Sequence, residues 1–186
     1  TYDRGHMVPN FAINTQFGRV AQFETFLMSN IVPQRSPMNR GIWKNLEHGI
    51  VKSYAPMRKH VWVMTGPVFG ANPAMIQRRN GKLIPVPEAL FLIIAEPERF
   101  PYDSPNNLNI LALMIPQEHP STKPETAPIS TLPEIEARTG VQLEISRVAV
   151  RNLSRDRDVD LGPGVLTRDA FDVVNDLPGW LYPAVW

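Results

Sequence analysis

Cysteine is absent from the 186 residues. No disulfide can staple the chain and no thiolate can hold a metal, so cysteine usage points to no particular compartment. Long apolar runs are missing too. The longest, Ala89-Leu90-Phe91-Leu92-Ile93-Ile94-Ala95, falls far short of the roughly 20 residues a membrane-spanning helix needs. No signal-like stretch opens the chain, and no internal repeat marks a solenoid. Acidic residues are scarce in positions 1–82, which hold 3 against 11 Lys and Arg, while positions 83–186 hold 15 against 8. The net charge of +1 therefore conceals a basic segment suited to a polyanionic partner, unless the two segments mix on the folded surface.

Proline is plentiful, 19 residues, which predicts many fixed turns and argues against a helical bundle. The length suits one domain with a real core and is short for two. Ile42, Trp43, Leu46, Ile50 and Val51 recur at helical spacing, predicting a helix from Met38 to about Tyr54 with Pro37 and Pro56 at its borders. Strands are expected over 60–70, 83–87, 89–96, 109–115 and 141–150, and a strand start over 22–28. Loops are expected over 29–38, 97–107 and 116–128, the last exposed. Thr131 with Glu134 three residues on predicts a capped helix that stops at Gly140. Residues 151–160 read as a solvated charged loop, 167–175 as a short helix and 178–186 as an aromatic tail.

The chemistry-bearing residues come early. Gly5 beside His6 suggests a place where backbone passes close to another group. Phosphodiester hydrolysis needs a deprotonated water, neutralisation of the phosphate and help for the leaving oxygen. His6 is a base whose ordinary pKa of about 6.5 suits neutral pH. Asn39 offers an amide oxygen of the kind a hard cation such as Mg²⁺ accepts alongside water and phosphate. Asn39, Trp43 and Glu47 are spaced four apart, so a helix places them down one side. Arg4, two residues before His6 on an extended segment, shares its face and can clamp a phosphate. Taken singly, each has a plainer reading: a structural histidine, a helix-start asparagine, a surface carboxylate, a core tryptophan. The order in which they combine carries the argument.

Asp3-Arg4-Gly5-His6, then Ser29-Asn30-Ile31-Val32-Pro33-Gln34, then Asn39-Arg40-Gly41-Ile42-Trp43 with Leu46-Glu47 resembles the DNA/RNA non-specific endonuclease family, the ββα-metal or His-Me finger nucleases. The similarity continues through Val63 to Phe69, Ile84 to Pro87 and Leu132 to Gly140. It implies an α+β fold with a mostly antiparallel central sheet and the catalytic helix packed on it. It also implies Mg²⁺-dependent endonucleolytic cleavage of DNA and RNA, with Mn²⁺ as a substitute cation, leaving 5′-phosphate ends. His6 then matches the general base, Asn39 the metal ligand and Glu47 the carboxylate that orients the metal's water. Arg4 matches a substrate-binding or transition-state-stabilising arginine and Asn30 a polar residue bordering the site. Arg35 and Arg40, in the same blocks, are further candidate substrate contacts.

Residues 1–150 are thus expected to form the nuclease domain, with 151–186 an extension packed on or beside it. Leu92 stands where the family's lysine is expected. The family also has a segment ahead of the Asp-Arg-Gly-His block, so a companion N-terminal chain or segment pairing beside His6 is expected. A homodimer is compatible with the resemblance, a secreted or periplasmic bacterial setting is favoured, and no membrane is expected. The alternatives are a latent or inactive nucleic-acid-binding module that needs its missing segment or a partner, and a regulated toxin or defence nuclease.

Overall fold

The computed structural model describes residues 1–58, 61–98 and 108–141, and the backbone alone at 148–149, 166–167 and 184–185. Strand β1 (Tyr2–His6) pairs antiparallel with β2 (Ile31–Arg35) as a two-stranded ribbon. Between them run two short helices, Asn10–Phe17 and Arg19–Glu24. A long helical segment over residues 36–58 follows directly. Then come β3 (Trp62–Val68), the small hairpin β4 (Met75–Gln77) and β5 (Leu83–Pro85), and the long antiparallel strands β6 (Ala89–Pro97) and β7 (Leu108–Pro116). The chain continues with β8 (Ile129–Ser130), the helix Leu132–Thr139, and the short pieces β9 (Val148–Ala149), β10 (Leu166–Thr167) and β11 (Ala184–Val185). The main sheet has the order β11-β3-β6-β7-β8 and is antiparallel throughout. The α+β class with a mostly antiparallel central sheet is therefore the observed one.

Strand β6 explains why the sheet is central. Leu90, Leu92 and Ile94 join Met38, Ile42, Trp43, Leu46 and Ile50 of the long helix in one core. Ala89, Phe91 and Ile93, alternating with them, join Ile135 of the helix Leu132–Thr139 in a second core on the opposite face. Successive strand side chains point to opposite faces, so a strand covered on both sides reads as an unbroken apolar run. That is the origin of the longest hydrophobic stretch in the chain. Leu92 is fully buried here, so this position is core and offers no group to a ligand.

Several expectations are corrected. The strand expected over 22–28 is instead the end of a helix followed by a turn, because Gln22 O accepts from both Thr25 N and Thr25 Oγ1. The loop expected over 29–38 contains β2, whose register is set by its partner β1 and not by any pattern of its own. The long helix starts earlier and ends later than expected, with Pro56 inside its last turn. It tolerates that proline after a wide turn in which Ala55 N–H reaches Ile50 O, five residues back. The 116–128 loop is exposed but fastened. Gln117 donates to Pro33 O and accepts from Arg35 N on β2, and Asn45 of the long helix donates to Thr122 O. The helix from Leu132 is capped by Thr131 Oγ1 accepting from Glu134 N and ends at Gly140, whose φ of 71° is left-handed. The expected loop over 97–107, strand over 141–150, charged loop over 151–160, helix over 167–175 and aromatic tail lie wholly or mostly outside the described residues, as does the packing of residues 151–186. Among the described residues no helix is long and apolar enough to cross a membrane.

Truncating Leu92 leaves a cavity at the centre of the larger core. Leu92→Ala is expected to lower unfolding free energy by about 2–5 kcal/mol, read from urea denaturation midpoints.

Candidate active site

The site begins with a close approach. A Cβ at Gly5 would lie 2.1 Å from Gln34 Cδ, so only glycine lets the fully buried Gln34 lie across β1. Gln34 Nε2 thereby donates to His6 O at 3.0 Å, and the Trp43 indole N–H donates to the same oxygen at 3.2 Å. These bonds join the ribbon to the long helix and hold the His6 backbone from two directions. The His6 ring meets Phe26 edge-on at 5.2 Å. Its Nε2 is buried without a hydrogen-bond partner among the described residues. Burial lowers the imidazole pKa, which keeps it neutral and able to accept a proton at pH 7.

The helix contributes from an unusual turn. Lys44 N–H reaches Asn39 O, five residues back, and Gly41 departs from helical geometry at φ −100°, ψ −108°. Such wide turns re-aim side chains and recur at functional sites. Asn39 Nδ2 donates to Asp3 Oδ2 at 2.9 Å, which turns its other amide atom, Oδ1, away from Asp3. Arg40 grips both oxygens of the same carboxylate, at 2.9 and 2.8 Å. Arg40 above all, then Asn39, holds the Asp3 carboxyl down at about 2. Asp3 is thus an anion at any pH of interest, and it orients Asn39. Glu47, two turns along, is buried, and that burial pushes its carboxyl up to about 8, with Trp43 offsetting a little.

Arg4, His6, Asn39, Arg40 and Glu47 line one cleft. The sequence-predicted residues that do not reach it are Asn30 and Arg35. Asn30 is buried behind, with Oδ1 accepting from Val8 N and Nδ2 donating to Val8 O and Thr25 O, so both ends of its amide serve the backbone. Arg35 is paired with Glu118 at 2.5 Å and lies over the Tyr2 ring. Arg40 reaches the cleft with its guanidinium already engaged by Asp3. Trp43 is core, as its plainer reading had it. His48 turns to the Phe11 ring, and both nitrogens of His119 lie 3.0 Å from carbonyl oxygens within its own loop. His60 lies outside the described residues.

Two polar residues of the cleft, Lys44 and Asn10, were not among the sequence candidates. Lys44 lines it with its side chain exposed and no carboxylate within ion-pair distance among the described residues. Its spacing to Arg40 and Glu47, four before and three after, was the available signal. Asn10, at the start of the first helix, lines it too; nothing in its local sequence marks it.

Among the described residues no three His, Asp or Glu side chains cluster as a metal cage. The donor set nevertheless fits a hard cation that keeps most of its water. Asn39 presents an amide oxygen that makes no hydrogen bond among the described residues, and Glu47 is a buried carboxyl whose ionised form calls for a nearby positive charge.

A family model described as DNA/RNA non-specific endonuclease matches residues 1–152. The chain belongs to that family. The mitochondrial nuclease of Saccharomyces cerevisiae is 28% identical over 156 residues, covering 76% of this chain and 46% of that protein. Human mitochondrial endonuclease G is 37% identical over 71 residues, 37% of this chain and 22% of that protein. A nuclease of Syncephalastrum racemosum is 39% identical over 80 residues, 42% of this chain and 24% of that protein. The chain spans less than half the length of each of these relatives.

For this member of the endonuclease family, two outcomes follow from the cleft. Asp3→Asn weakens the hold on Arg40 and loosens the Asn39 amide, whose oxygen could ligate a cation; a loss of about 10–100-fold in metal affinity or turnover is the outcome expected of a residue that orients such a group. Isothermal titration with Mn²⁺ and steady-state kinetics measure it. The second concerns pH. Glu47 ionises at an ordinary 4.5 when unfolded and at about 8 when folded. The unfolded chain therefore releases this proton first, and the metal-free protein loses stability as pH rises from about 5 to 8. The lowered pKa of His6 acts the other way, costing stability as pH falls below its ordinary 6.5. In EDTA, the melting temperature of Glu47→Gln should fall less between pH 6 and pH 8 than that of the native chain, at about 1-unit steps.

Proposed function

We propose that this chain carries the catalytic machinery of a divalent-metal-dependent endonuclease that hydrolyses phosphodiester bonds in both DNA and RNA. The observation that supports it best is the cleft that gathers a neutral, partly buried imidazole, a pre-oriented amide oxygen, a buried carboxyl and two cations, Arg4 and Lys44, that have no ion-pair partner among the described residues. Mg²⁺ suits the set, with Mn²⁺ as a substitute; Asn39 would hold it through Oδ1 and Glu47 would hydrogen-bond its water shell. Bound there, the cation supplies charge neutralisation at the phosphate and the leaving oxygen.

His6 accepts a proton from water as the water oxygen attacks phosphorus. The bond from phosphorus to the 3′ oxygen breaks, that oxygen takes up a proton, and the products are a 5′-phosphate and a 3′-hydroxyl. Arg4 and Lys44 balance the negative charge that grows on the phosphate oxygens. Arg40 contributes through Asp3, by keeping that carboxylate charged and in place. Contacts to phosphate carry no base information, so little sequence preference is expected. Strand β1 has no partner other than β2 among the described residues, and its remaining edge is where a companion segment would add.

The test is digestion of a plasmid and of a structured RNA with Mg²⁺ or with EDTA, for the native chain and His6→Ala. Removal of the general base should cost about 10²–10⁴-fold in rate, and EDTA should abolish cleavage. Unchanged cleavage by His6→Ala overturns the assignment. Salt-sensitive DNA binding with no turnover by the full-length folded protein would favour the binding-module reading instead.

A further inference from the structure

One face beside the cleft has no role in this scheme. Phe17, Val20, Phe23, Phe26, Leu27 and Met28 are each more than half exposed, at 58%, 83%, 63%, 53%, 58% and 58%. Single exposed apolar side chains are ordinary, whereas six within twelve residues make a patch that marks an interaction surface. Val20 and Phe23 lie three apart and share one side of the helix Arg19–Glu24, and the exposed Phe26 and Leu27 follow in the turn just beyond it. The segment is tied down from behind. The buried Thr25 hydrogen-bonds Gln22 O through both its backbone N–H and its hydroxyl, and Asn30 Nδ2 donates to Thr25 O at 2.9 Å. The rings therefore stand on a supported surface.

Two observations say what covers it. Phe26 is in edge contact with the His6 imidazole at 5.2 Å, so the apolar face is continuous with the wall of the catalytic cleft. Arg19 holds its guanidinium 5.9 Å above the Phe23 ring, which adds a cation beside an aromatic surface. Arg4 and Lys44, cations suited to phosphate, thus line the cleft together with His6, and the exposed aromatic rings adjoin that cleft through the contact between Phe26 and His6. Alternating cations and aromatics suit a single nucleic-acid strand, whose phosphates are neutralised while its bases stack. A base within a duplex has both faces occupied by its neighbours and cannot stack on a phenylalanine.

We propose that the exposed face formed by Val20, Phe23, Phe26 and Leu27 is a stacking platform for unpaired bases flanking the phosphate held at His6, which biases this site toward single-stranded stretches of DNA or RNA. The inference rests on the proposed phosphodiesterase activity and deepens it. Three substrates separate the two: a single-stranded oligonucleotide, its perfect duplex, and a strand of equal length built of abasic units. Phe23 is the position to vary, because it lies outside the cleft and its exposure makes Phe23→Ala neutral for folding, which a thermal melt verifies.

Phe23→Ala should raise KM for the single strand by about tenfold, within the range that base–aromatic stacking supports. The duplex and the abasic strand should change by less than about twofold, since neither offers a free base. Phe23→Trp should restore the single-strand KM. Equal loss on all three substrates, or no loss on any, overturns the platform while leaving the nuclease assignment standing. No cleavage of any substrate by the native full-length protein with Mg²⁺ fails the nuclease assignment, and the platform with it. Light scattering adds a further check: a dimer that becomes a monomer on Phe23→Ala would make the face a contact between copies of this chain and overturn its role in base stacking.

Discussion

The carbonyl oxygen of His6 is the junction on which the site depends. It belongs to a ribbon, β1 with β2, that contributes no strand to the main sheet. It is held by a Gln34 side chain folded over Gly5 and by the Trp43 indole rising from the helix core. Each of these groups needs the others. Gln34 is fully buried and must find partners for its amide, and Gly5 leaves the only room for it. Trp43 needs an acceptor for its N–H in an otherwise apolar core. The polar requirements of two buried side chains thus fix where His6 stands relative to the helix that carries Asn39 and Glu47.

Asp3 performs the complementary task on the other side of the ribbon. Its single charge is shared between Arg40, which keeps it ionised, and Asn39, which it orients. An amide without such a partner would present its N–H₂ and its oxygen with similar ease, and only the oxygen can ligate a cation. Glu47 shows the opposite electrostatics. Its burial pushes it toward its neutral form, while Asp3, gripped by Arg40, is pulled well below the usual carboxylate range. Two carboxyl groups near one cleft are driven apart by their surroundings, one made a permanent anchor and the other left to respond to a charge placed beside it.

The main sheet serves these arrangements by being stiff. Strand β6 is packed on both faces, so the helix that presents Asn39, Lys44 and Glu47 rests on close-packed side chains that cannot shift cheaply. The 116–128 loop closes the frame, because Gln117 bonds the free side of β2 and Asn45 ties the helix to Thr122. The ribbon is thereby braced from the sheet, from the helix and from a loop, which suits a site that must hold its groups in place before a substrate arrives.

Much of this was legible in the chain itself. The spacing of Ile42, Trp43, Leu46 and Ile50 determined a helix, Thr131 with Glu134 and Gly140 determined another, and the apolar run at 89–95 determined a buried strand, because each signal is local and each has a physical cause. The three short blocks around His6, Asn30 and Asn39 determined the family. What only the tertiary structure decided is which polar groups face one another. Asn30 and Asn39 are the same residue type in neighbouring blocks, yet one is spent on Val8 and Thr25 while the other opens to the cleft. Arg40 and Lys44 lie one turn apart, yet Asp3 engages only the first of the two. Strand β2 exists only because β1 lies beside it. Pairings across 28 to 37 residues are chosen by packing and by the need to satisfy buried groups, and no local pattern of residues encodes them.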